Sequence, residues 1–197
     1  MEENNNNIDI DTLREAYGRV SYTQTTHEYE VQACSKKSNI IKWFNVILTA
    51  LTFGGIMGVI AFNTDFLKIL SAIVSTLSLG IATYQLSFDP QSDEISHKIA
   101  TKELWYIREK YKNLIADASK KILSEDQIVK RRDELLEELK LVYKFAPNTS
   151  NTAYKKAQKA IQSEEEQYFS TEELNNLLPK SLRISETEDK PTSVPKK

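Results

Sequence analysis

From Ile10 onward, residues at steps of three and four fall on one line: Ile10, Leu13, Tyr17, Val20, Gln24, His27, Val31 and Cys34. Such a row lies along one face of a helix. It predicts an amphipathic cytosolic helix over 10–41, behind a polar, low-complexity start at 1–9 that reads as disordered. Gln24 and His27 interrupt the apolar face, and "SYTQTT" has poor helix propensity, so this stretch is the weakest part of the helix. At Trp43 the pattern changes. No Asp, Glu, Lys or Arg occurs over 43–64, a window of 22 residues, or over 69–88, a window of 20. At about 1.5 Å per residue, each window can span a hydrocarbon core of roughly 30 Å. A buried helix of a soluble core needs far fewer uncharged residues, so the windows read as two transmembrane helices. Between them "DFLK" leaves room only for a tight hairpin.

Beyond Asp89-Pro90 the pattern returns to amphipathic helix. Asp89 is a plausible N-cap and Pro90 a suitable first helical residue. A helix to about Leu123 is expected, with Ile95, Ile99, Trp105, Tyr106, Leu114, Ile115, Ala118 and Ile122 among its apolar positions. "SEDQ" at 124–127 is a capping box opening a second helix, which Ala146-Pro147-Asn148 ends. A third helix runs from about Thr152 to Gln167, "STEE" at 170–173 caps a short last one, and 184–197 reads as a disordered tail. The fold class expected is therefore all-α: a two-helix transmembrane hairpin, an N-terminal amphipathic helix, and a cytosolic C-terminal helical region over 90–180. No strand-like alternation is long enough for a sheet.

Lys36, Lys37 and Lys42 precede the first window, and Lys98, Lys102 and Arg108 follow the second, against Lys68 alone in the connection. That asymmetry places both termini in the cytoplasm. Four of the five glycines lie inside the windows, a usage more common in membrane helices than in soluble ones. Ala50, Gly54 and Gly58 are spaced by four, the small-xxx-small arrangement that lets membrane helices approach closely, and they are candidate helix-packing residues. In the second window Ser71, Ser75, Ser78, Ala82 and Gln85 form one polar or small stripe; Asn45, Thr49 and Thr52 form a shorter one in the first. Polar side chains facing lipid lack partners, so both stripes should turn away from it. Two readings remain open at this point: the stripes seat a neighbouring helix, or they line an aqueous pore.

Charge and candidate chemistry remove alternatives. A net charge of -2 lacks the basic excess of a nucleic-acid binder. Cys34 is the sole cysteine, which precludes an intrachain disulfide. The first apolar run begins some forty polar residues in, unlike a cleavable signal peptide. His27 and His97 stand far apart in sequence, with no second His or Cys at a metal-ligand spacing, so no metal is expected. Neither a P-loop nor a dinucleotide fingerprint occurs, so no cofactor is expected. Cys34 and His27 lie two turns apart on one face, about 10 Å, too far for a nucleophile and its base, so no enzymatic role is expected. His27 reads as a satisfied interfacial histidine ahead of a pH-sensitive one. The "KRRDE" at 130–134 and "EEE" at 164–166 read as solvated faces.

The hairpin, "ELWYIREKYKNLIAD" at 103–117, and above all "RRDELLEELKLVYKFAPNTSNTAYKKAQKAI" at 131–161 resemble the SLATT family over roughly residues 10–180. These are bacterial two-transmembrane effector proteins found beside nucleotide-second-messenger synthetases, nucleotide-sensing domains or reverse transcriptases. The resemblance implies a non-enzymatic effector of phage defence that forms homo-oligomeric pores in the inner membrane, leading to abortive infection. It also implies a defence-system partner protein or nucleotide-signal sensor as trigger. It favours the pore reading of Ser71, Ser75, Ser78, Gln85, Asn45, Thr49 and Thr52. The rival is a membrane-anchored scaffold whose cytosolic helices dock a partner protein.

Overall fold

The computed structural model describes residues 5–163 and 169–183, the first five by backbone alone. Six α-helices follow one another: α1 (Asn5–Phe62), α2 (Asp65–Ser87), α3 (Pro90–Ser119), α4 (Glu125–Phe145), α5 (Asn151–Ser163) and α6 (Thr171–Leu177), with a 3-10 turn at Lys180–Leu182. Among the described residues there is no strand. The expected all-α class with two long apolar helices holds. Residues 1–4, the run at 164–166, the end of the third cytosolic helix near Gln167 and the tail at 184–197 lie outside the described residues.

Two expectations need correction. The amphipathic helix and the first transmembrane helix are one element, the 58-residue α1, which takes in residues 5–9 expected to be disordered. At about 1.5 Å per residue it is roughly 87 Å long. No proline or glycine stands between Val20 and Phe53, so the hydrogen-bond ladder has no cause to stop where the surroundings change at Trp43. The weak "SYTQTT" stretch is helical because tertiary packing overrides propensity. Ser21, Thr25 and Thr26 are buried, and Ser21 and Thr26 bond back to the carbonyls of Tyr17 and Tyr22 at 2.9 and 2.7 Å.

The hairpin connection is also shorter than "DFLK". It consists of Asn63 and Thr64, and Asp65 already begins α2. Asn63 takes a left-handed conformation, φ 46°, which Asn tolerates better than most residues, and Thr64 is extended at the N-cap. Asp65 in the first turn suits the positive end of the helix dipole. Its pair with Lys68 at 3.0 Å is exposed and contributes little.

The chain divides into two compact units, Met1–Gln158 and Lys159–Lys197. In the first, α2 and then α3 run back along α1, and α4 packs on α3. The buried core lies away from the apolar windows: Leu13 and Val20 of α1, Leu104, Ile107, Tyr111 and Leu114 of α3, and Leu135 and Leu139 of α4. Asp89 separates α2 from α3 as an N-cap, its carboxylate accepting from the backbone N–H groups of Gln91 and Ser92. Ser124 and Gln127 close a full capping box on α4. Glu30 of α1 accepts from the backbone N–H of Ser150, fixing the approach to α5. In the second unit Ser170 and Glu173 form the capping box of α6.

Candidate membrane site: a polar seam along α1

The two apolar segments carry no buried share in their most hydrophobic windows, and α2 has no buried residue. Trp43, Phe53, Ile60, Phe62, Ile69, Leu79 and Leu86 all stand exposed. A core helix of a soluble protein would hide these groups. An apolar surface turned outward on both helices matches hydrocarbon, not water.

The polar stripes meet each other inside the hairpin. Asn45 donates from Nδ2 to Oε1 of Gln85 at 2.9 Å, and the Thr52 and Ser78 hydroxyls are 3.4 Å apart. Ser71 lies against Gly55, where an added Cβ would stand 2.5 Å from its Oγ. That Oγ is buried and has no hydrogen-bond partner. Thr49 and Ser75, at the edges of the stripes, are exposed. Thr76 and Thr83 satisfy themselves on the carbonyls of Ala72 and Leu79.

The small-residue row is divided. Gly58 approaches Leu67 of α2, its hypothetical Cβ 3.4 Å from Leu67 Cδ1, whereas Gly54 has open space and Ala50 is exposed. The close approach inside the hairpin is made at Gly55, outside the Ala50, Gly54, Gly58 spacing.

The seam continues below the apolar windows. His27 of α1 and His97 of α3, which sequence distance sets apart, face each other with Nδ1 atoms 2.8 Å apart and ring centroids 5.1 Å apart. One imidazole donates its Nδ1–H and the other accepts, so the pair is satisfied when both rings are neutral. Only 2% of His27 and 5% of His97 remain exposed. Burial, and after it the neighbouring His97, pushes His27 down to about 4, against the opposing pull of Glu30. Burial also lowers His97, opposed by Glu30 and Asp93. Equal counting outward from the turn does not predict the pair: from Asn45 and Gln85, His27 lies 18 residues further along one arm and His97 only 12 along the other, because α3 starts anew at Pro90. Among the described residues no group of three His, Cys, Asp or Glu is placed to hold a metal ion.

At the end of the apolar segments away from the turn, Tyr84 stacks on Phe88 with centroids 5.1 Å apart, and Lys37 sits over the Tyr84 ring at 5.6 Å. Aromatic rings and a long-stemmed cation are suited to a hydrocarbon–water boundary.

The family model described as SMODS and SLOG-associating 2TM effector domain family 4 matches residues 10–173. No curated protein and no solved structure matches the chain.

Proposed function

Because the chain belongs to the SMODS and SLOG-associating 2TM effector domain family 4, a family of membrane effectors in defence systems, we propose that it acts by forming an oligomeric pore across the bacterial inner membrane. Several copies associate, and the Ser71, Ser75, Ser78 and Gln85 faces surround an aqueous path. A single hairpin has too few helices to enclose water, so assembly is required. Both termini lie in the cytoplasm, as the lysine distribution supports. A partner protein or nucleotide signal that binds the open assembly more tightly than the closed one supplies the trigger. The observation carrying this reading is that Asn45, Thr52, Ser71, Ser78 and Gln85 lie on the facing sides of two helices whose exposed surfaces are mainly apolar. Full-length protein in liposomes should release an encapsulated dye. The triple substitution Ser71→Leu, Ser75→Leu, Ser78→Leu should insert equally well and release none; undiminished release would remove the stripe from the conduction path.

The internal pairing of Asn45 with Gln85 favours a second reading, a tethered scaffold in which the seam only joins two helices. On that reading the region from Asp89 onward, fused to an unrelated membrane anchor, keeps its effect in cells. The pore reading requires that chimera to be inactive.

A further inference from the structure

The polar groups that a pore would present to water are already engaged within one chain. Asn45 and Gln85 satisfy each other, and the Thr52 and Ser78 hydroxyls are in contact. We propose that these cross-helix pairs form a latch that holds the hairpin closed at rest, and that opening exchanges their partners within the chain for water. This rests on the pore reading above and assigns its resting state.

Three features make the seam suited to the role. The first is strength. A hydrogen bond between membrane helices biases an equilibrium by roughly threefold on average, so two contacts favour the closed form by roughly ninefold. That is enough to restrain a hairpin and little enough for a ligand or partner of modest differential affinity to overcome. The second is Ser71, whose Oγ is buried beside Gly55 without a partner. Separation or rotation of the helices opens its hydroxyl to water, which offsets part of what the two pairs lose. The third is continuity. α1 runs unbroken from the cytosolic core to Phe62, so rotation of its apolar half also turns His27 against His97. A partner acting on the cytosolic helices is thereby linked mechanically to the latch.

The Thr52 and Ser78 hydroxyls, 3.4 Å apart, mark positions where two cysteines approach the geometry of a disulfide, whose S–S length is about 2.05 Å. In the full chain carrying Cys34→Ser, Thr52→Cys and Ser78→Cys, dye release from liposomes should be abolished on oxidation and restored by a reductant. Equal release from oxidised and reduced protein overturns the latch while leaving the pore reading standing. No release from the wild-type chain at any protein density overturns both. Asn45→Val, which breaks one pair and leaves Gln85 in the path, provides an independent arm that needs no disulfide: basal release should rise roughly threefold, and unchanged or lower release overturns the latch.

Discussion

Acidification should weaken the helical core outside the apolar segments through the histidine pair, and by an amount that the structure sets. In the unfolded chain His27 titrates near its ordinary 6.5, whereas in the folded chain it is held down to about 4. A lowered folded value means that the unfolded state binds the proton more readily. Stability is therefore complete above about pH 6.5 and is lost as the pH falls toward 4. At pH 5, linkage for this one group amounts to about 2 kcal/mol, or roughly thirtyfold in the unfolding equilibrium. His97, lowered in the same direction, adds to the loss. Glu30 opposes the shift at His27, and Glu30 and Asp93 oppose it at His97; histidine is the side chain whose ordinary charge change falls in this interval. The chain contains only these two. Full-length protein in nanodiscs, followed by hydrogen exchange of α3 amides between pH 7.5 and 5, should lose protection by about this factor. His27→Gln with His97→Gln should flatten the dependence. An equally steep loss in the double variant would refute the assignment of the effect to the pair.

The glycine geometry separates two adjacent substitutions. Gly55→Ala places a methyl 2.5 Å from Ser71 Oγ and Gly54→Ala meets open space, so in thermal unfolding in detergent the second should gain up to about 1 kcal/mol from helix propensity and the first should fall about 1–3 kcal/mol below the second. Adding Ser71→Ala to Gly55→Ala should restore much of the loss. Leu104→Ala, at a fully buried position of α3 in the core cluster shared with α1 and α4, should cost about 2–5 kcal/mol of core stability, measured by the same unfolding assay.

The number and length of the uncharged windows, the helix-starting residues Asp89, Ser124 and Ser170, and the all-α class were legible without coordinates, because each depends on neighbours in the chain. A span needs about twenty uncharged residues in succession, and a cap needs only the backbone N–H groups two or three residues ahead. The continuity of α1 through Trp43 was less legible: the change of environment resembles a boundary, but helix geometry has no reason to break there. Tertiary structure alone decided which polar groups meet. Ser71 and Ser75 share a stripe in sequence, yet only Ser71 lies against α1, since Gly55 allows the approach there and Ser75 falls at the edge. His27 and His97 are separated by two membrane passages in the chain and by one hydrogen bond in space. Local periodicity identifies the face of a helix; the position of the turn and the packing of its partner determine what that face touches.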